Sequence, residues 1–217
     1  LKNHSSAPLT RADKKNKGAL RENVEAILIA IVLALFIRTF VVQAFKIPSG
    51  SMKNTLLIGD HILVSKFIYG IKVPFTDGYT LIPLKDPKRG DIVVFKYPED
   101  PDKDFIKRVV GVGGDTVEIK NKKLYVNDQL QDHHAFAIYK DPHVIPPKFS
   151  TRDNLPKITV PENSLFVMGD NRDNSHDSRF WGFVDLKAVK GKAFIIYWSW
   201  NSDEFGVRWN RLGHFLK

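Results

Sequence analysis

The fold class this sequence predicts is mainly β: an N-terminal transmembrane helix, then an all-β body carrying a small inserted lobe. Three observations in the 217 residues carry that prediction. One apolar run of membrane length lies near the N-terminus, short β-branched stretches parted by Gly, Asp and Pro fill the chain after residue 45, and a proline-rich polar stretch interrupts them. The length of chain beyond the apolar run suits one domain with one core.

Residues 1–22 read as a basic cytoplasmic tail. Lys2, Arg11, Lys14, Lys15, Lys17 and Arg21 outweigh Asp13 and Glu22, supplying +4 of the formal +9 of the whole chain. Ahead of an apolar segment, that is positive-inside charge. The remaining bases are interspersed with acids and form no nucleic-acid motif, so the composition favours anionic lipid over nucleic acid as a partner.

Apolar residues run unbroken from Ala26 to Ile37, which is short of the roughly 20 needed to cross a bilayer core. The span must therefore include Arg38, whose long stem can carry its charge toward the headgroups. This places a transmembrane helix at residues 23–44 and residues 45–217 outside the cytoplasm. Two other readings compete. Val42 and Ala44 are the small residues of a cleavable signal sequence, and a buried core helix has the same composition; Arg38 weighs against the first and the basic tail against the second. With no cysteine, neither disulfides nor thiolate chemistry is available.

Beyond residue 45, Asp60–Val64, Asp91–Phe95 and Phe105–Val112 read as strands, as do Leu165–Met168 and Ala193–Trp198. Val117–Ile119 and Lys123–Val126 flank Asn121-Lys122 as a hairpin would. Gly-Asp begins at Gly59, Gly90, Gly114 and Gly169. The first three precede strand-like runs and read as turns, with Gly supplying an unusual backbone angle and Asp bonding nearby amides. The fourth opens Gly169-Asp170-Asn171-Arg172-Asp173-Asn174-Ser175-His176-Asp177-Ser178-Arg179, whose polar density calls for a hydrogen-bond network or a ligand. Residues 120–161, with Pro142, Pro146, Pro147 and Pro156, read as an inserted lobe or long loop.

The turn Ile47-Pro48-Ser49-Gly50-Ser51-Met52 comes directly after the apolar segment and displays Ser51 as a candidate nucleophile. There is no Gly-x-Ser-x-Gly elbow, and no His has the setting of a base. A neutral lysine can fill that role. Lysine titrates near ~10.4 and must be brought to about 7–8 by burial to act at neutral pH, so the base belongs in an apolar strand. Among Lys46, Lys53, Lys96 and Lys107, only Lys107 has apolar neighbours on both sides. Alternation puts Lys107 and Arg108 on opposite faces of a strand without saying which points inward. Two solvated charges on an edge strand fit the pattern equally. No metal or other cofactor is implied: His-Glu-x-x-His is absent, His133-His134 stands without clustered acids, and the acidic run lacks the central Gly and closing Glu of a calcium loop.

In order and spacing, five segments resemble the bacterial type I signal peptidases, or leader peptidases, membrane-bound serine proteases that remove signal peptides from exported proteins. They are Ile47–Met52 with the helix end before it, Leu56–Asp60, Arg89–Phe95, Phe105–Gly111 and Gly169–Gly182. The resemblance implies Ser51 as nucleophile and Lys107 as general base. It implies that the Ser49 hydroxyl and the Ser51 amide form the oxyanion hole, that Ser175 orients the lysine, and that Asp177 and Arg179 form a buried supporting ion pair. It further implies cleavage after small residues of the Ala-x-Ala type, in a pocket walled by Phe45, Ile47, Pro48, Met52, Leu56, Phe105 and Ile106.

The partners so implied are signal peptides of secreted preproteins, with translocation machinery as a further one. The implied placement is single-pass in the inner membrane, with the catalytic domain on the outer, periplasmic face. His176 is a departure, since relatives often carry a small residue beside Ser175, and it bears on the outer shape of the pocket. Two readings from other classes stand beside this one. A tethered, non-enzymatic β-domain could bind a partner through Asp170–Arg179, and a self-cleaving Ser/Lys protease of the repressor type could share the dyad, although here an apolar helix precedes it.

Overall fold

The computed structural model of the chain describes residues 11–72, 76, 80–132 and 135–216; residues 1–10 of the basic tail and His133-His134 lie outside them. The chain separates into two units, 1–39 and 40–217. In the first, the described residues are helical: α1 spans Arg11–Phe36 and passes into a π-helical turn at Ile37–Val41. Within it Arg21–Val41 is long and apolar enough to cross a membrane, its 18-residue apolar window having mean hydropathy 2.5 and no buried residue. Its limits differ from the 23–44 that hydropathy suggests. The Lys, Arg, Ala, Leu and Glu residues ahead of residue 23 are good helix formers and continue the helix back to Arg11. At the other end Val42–Lys46 leaves it, because those residues hydrogen-bond along a neighbouring strand.

The second unit is built from β1 (Val42–Lys46), β2 (Asp60–Ser65), β3 (Gly70–Lys72), β4 (Thr80–Pro83), β5 (Ile92–Tyr97), β6 (Asp100–Val112), β7 (Thr116–Lys120) and β8 (Lys123–Val126). Then come β9 (Gln129–Leu130), β10 (Leu155–Thr159), β11 (Ser164–Met168), the short helix α2 (Ser178–Trp181), β12 (Val184–Asp185), β13 (Val189–Asn201), β14 (Gly206–Val207) and β15 (His214–Phe215). Among the described residues, the principal sheet has the order β1-β2-β13-β5-β6-β11-β12, with β14 and β15 also on β13. The pairs along this path are antiparallel.

β6 lies inside this sheet, between β5 and β11, and from Lys107 to Gly111 successive residues are buried on both faces. That double burial is why its C-terminal half reads as a continuous apolar run broken only by two cations. Ile47, Met52, Leu56, Ile62, Val64 and Ile196 form one core cluster, while Val93, Phe95, Val109, Leu165 and Val167 form another.

The lobe begins earlier than the expected 120. Its sheet, β10-β7-β8-β9, takes in Thr116–Leu130 and Leu155–Thr159, and the prolines fall in the largely irregular chain between β9 and β10. Its core residues Val117, Ile119, Leu124 and Val126 join Val110, Phe166 and Met168 of the main sheet in one cluster. The Asn121-Lys122 turn has φ of 48° and 67°, the doubly positive signature of a tight hairpin. Ile138, in the irregular stretch, donates its amide to Asp170 O and accepts from the Arg172 amide. The lobe thereby braces the polar block.

Candidate active site

The Ser51 turn is pinned from below and from the side. Ile47, Met52 and Leu56 are sunk in the core, and the Leu56 amide bonds back to Met52 O, so the chain after Ser51 coils into a single tight turn. From the side, the Asn171 amide donates to Ser51 O and its Nδ2 to Gly50 O, each at 3.0 Å. Both bonds come from the polar block, over a hundred residues away in sequence. They leave the Ser51 hydroxyl pointing at β6.

There Lys107 Nζ lies 2.9 Å from Ser51 Oγ and donates to Ile106 O at 3.1 Å. The side chain is only 4% exposed and makes no ion pair among the described residues. Burial lowers its pKa to about 8; Asp177 and Asp170 pull upward and Arg179 pushes further down. An amine in this state is close to the range in which it can take a proton at neutral pH. Ser49 Oγ stands 3.4 Å from Ser51 Oγ on the exposed side of the turn.

Arg108 points to the other face, as alternation requires, and is 2% exposed. Both cations are therefore inside, so the choice between inward and outward does not arise. Arg108 grips Asp170 through Nε and Nη2 at 2.9 and 2.8 Å, and its guanidinium lies 3.9 Å above the Phe136 ring. Behind Lys107, Asp177 and Arg179 form a second buried pair, at 2.8 and 2.9 Å. Burial alone would raise the Asp177 carboxyl; Arg179 and the Gly169 amide hold it below its ordinary value. Arg179 also donates to Arg152 O and Arg172 O, so that it fixes the fold of the whole block.

Of the four Gly-Asp dipeptides, Gly59, Gly90 and Gly114 have φ near +90°, as turns demand. Gly169 has no such φ. A Cβ there would come within 2.3 Å of Ser175 Oγ and 2.4 Å of Ser51 O, so the missing side chain is what lets the block touch the Ser51 turn. The Ser175 hydroxyl is buried and close enough to Asp177 to help lower it, yet it has no hydrogen bond of good geometry, either to Asp177 or to Lys107.

A sequence pattern described as "Signal peptidase, peptidase S26" matches residues 20–198. The chain belongs to the signal peptidase family. Its similarity to the signal peptidase I of Pseudomonas aeruginosa is 42% identity over 198 residues, covering 78% of this chain and 69% of that protein. To the signal peptidase I of Aquifex aeolicus it is 38% identity, covering 83% and 85%. A crystal structure of a signal peptidase I from Enterococcus faecalis matches 50% of this chain and 97% of its own, at 32% identity and a TM-score of 0.40. Membership makes the chain a bacterial type I signal peptidase relative and a serine endopeptidase.

In this signal peptidase family member an open cleft of about 480 Å³ runs past the Ser51–Lys107 contact. Of the expected wall residues, Pro48, Phe105 and Ile106 line it. Ile47, Met52 and Leu56 are core residues beneath it, and Phe45 packs on the same core. Their apolar character reflects support of the Ser51 turn. Asp104, Asn171, Asn174 and His176 complete the lining. Sequence reasoning does not single out Asp104, Asn171 and Asn174 as cleft residues, although the polar density of 169–179 is a signal for the two asparagines. The Arg108–Asp170 pair has no local signal at all, since its partners lie 62 residues apart.

Proposed function

We propose that this chain is a membrane-anchored endopeptidase that cleaves signal peptides from exported preproteins after small residues, using Ser51 as nucleophile and Lys107 as general base. The observation that carries the reading is the 2.9 Å approach of Ser51 Oγ to a buried amine whose pKa is brought to about 8. In its neutral form Lys107 accepts the hydroxyl proton as Ser51 attacks the scissile carbonyl, then returns that proton to the leaving amine. A water molecule takes the place of the amine and gives a proton to Lys107 as it attacks the acyl carbonyl; the ester bond to Ser51 Oγ breaks, Lys107 returns the proton to that oxygen, and the carboxylic acid product leaves.

The developing oxyanion is held by the Ser51 amide, which serves no other acceptor among the described residues, and by the Ser49 hydroxyl. Such donors are worth roughly 3–4 kcal/mol each. Arg179 keeps Asp177 engaged and so denies Lys107 a counter-ion that would hold it protonated. Ser175, whose buried hydroxyl lies close to Asp177, is in a position to turn toward the lysine during the reaction.

Specificity arises in the cleft. Pro48, Phe105 and Ile106 make a shallow apolar wall that rejects large side chains by overlap and accepts alanine, which supports an Ala-x-Ala site. Arg21–Val41 supplies the anchor. The basic residues ahead of it orient the chain with its N-terminus in the cytoplasm and the catalytic unit on the outer face of the inner membrane, where anionic lipid and the translocation machinery are its neighbours.

The test is processing of a precursor bearing an Ala-x-Ala site by the full chain in detergent micelles. Ser51→Ala and Lys107→Met are each expected to lower turnover at least about a thousandfold while keeping the circular dichroism of the parent. Turnover that survives either change removes that residue from its role.

A further inference from the structure

His176 is the cleft residue that the dyad chemistry leaves unused. It stands between two buried residues, Ser175 and Asp177, and is itself exposed at the cleft. Its ring is nevertheless held by two neighbours, Phe180 and Tyr97. It stacks on Phe180 with centroids 5.4 Å apart, meets Tyr97 edge-on at 6.2 Å, and hydrogen-bonds through Nε2 to the Tyr97 hydroxyl at 3.1 Å. Tyr97 in turn lies flat on Phe105, 4.3 Å between centroids and 4° between planes. Phe105 also lines the cleft and has Lys107 Nζ 5.1 Å from its ring centre.

The hydrogen-bond roles in this chain of contacts can be assigned. The Tyr97 hydroxyl gives its single proton to the Glu99 carboxylate, which can only accept. Burial and Glu99 push the Tyr97 phenol up to about 12, so that proton stays in place. The Tyr97 oxygen is left to accept, and His176 must donate from Nε2. The imidazole is thus held in its plane by partners outside the cleft. An aromatic ring with so little rotational freedom is a wall that a bound side chain has to fit, because moving it would break a stack and a hydrogen bond together.

We propose that His176 is a specificity-determining residue: a clamped imidazole that narrows the cleft beside Ser51 and excludes branched or aromatic side chains next to the cut. The proposal rests on the Ser/Lys protease reading and adds a size limit set by this residue. Discrimination by shape in an apolar pocket spans about 10–200-fold for small changes in volume, and a wall residue should control a good part of that range.

The experiment compares kcat/KM for peptide pairs that differ only in Ala against Leu at the residues flanking the cut, using the full chain in detergent. His176→Ala is expected to lower the Ala-to-Leu ratio about tenfold. His176→Phe, which keeps a flat ring stacked on Phe180 and loses only the polar edge, should retain most of the discrimination. Tyr97→Phe removes the hydrogen bond from outside the cleft and should lower the ratio by about two- to threefold. Unchanged ratios in His176→Ala, or equal loss in the Ala and Phe variants, would overturn a wall acting by shape. If the parent chain cleaves neither peptide of any pair while Ser51→Ala is equally inert, the protease reading is what has failed, and the proposal falls with it.

Discussion

Lys107 and Arg108 are neighbours on one strand, both cationic side chains, both buried, and they meet opposite fates. Arg108 emerges on the face where Asp170 waits with two oxygens, and its charge is matched there at 2.9 and 2.8 Å. Lys107 emerges on the face where the carboxylate that acts on it most strongly, Asp177, is already bound by Arg179. It meets a serine hydroxyl, a carbonyl and an aromatic ring instead. Burial is the same for both; the presence or absence of an unoccupied carboxylate decides whether the cation is a strut or a latent base. A buried charge with a partner contributes to the fold through that pair, whereas a buried amine without one is driven toward its neutral form at the expense of stability.

The largest effect expected from this contrast is on stability. Arg108→Met strips Asp170 of its cationic partner, leaving only the Thr55 hydroxyl among the described residues, in a site that stays buried, and should destabilise the protein by about 3–5 kcal/mol in urea unfolding. Lys107→Met has the opposite sign. It removes a desolvated amine with no ion pair, and should stabilise the fold at pH 7 by about 3 kcal/mol, in line with lowering a lysine from 10.5 to about 8. Equal destabilisation by the two substitutions would erase the distinction between them.

A smaller and finer test is pH. Below pH 8 Lys107 is protonated in both folded and unfolded chains, and its burial penalty is present in full. Between pH 8 and 10.5 the unfolded chain holds a proton that the folded one does not, so stability rises with pH across that window. The stability of the parent relative to Lys107→Met should climb by about 3 kcal/mol there and be flat below pH 7. Activity should track the same group: kcat/KM rises about tenfold per pH unit up to pH 8 and levels above it. A profile flat from pH 5 to 9 would show that the reactive base is not this amine.

Much of this was present in local pattern. The apolar run, the alternating strands, the Asn121-Lys122 hairpin and the three Gly-Asp turns depend on interactions within a few residues, and periodicity and turn chemistry record those directly. The resemblance added the pairing of Ser51 with Lys107, which spacing alone left open. What no local reading could supply were contacts between segments far apart in the chain. Asn171 holding the Ser51 turn, Asp170 claiming Arg108, and Gly169 clearing space for Ser51 O each join residues at least 62 positions apart.

The pocket residues divide in the same way. Sequence marked Ile47, Met52 and Leu56 as apolar, and only packing sent them beneath the cleft while Pro48, Phe105 and Ile106 came to its surface. The chain by itself therefore determined which segments are helix, strand and turn and which side chains could do chemistry, because those properties depend on each residue and its near neighbours. Tertiary structure alone decided which lysine lost its water and found no carboxylate. Protonation depends on what surrounds a group in three dimensions, and those surroundings are assembled from strands that the sequence keeps far apart.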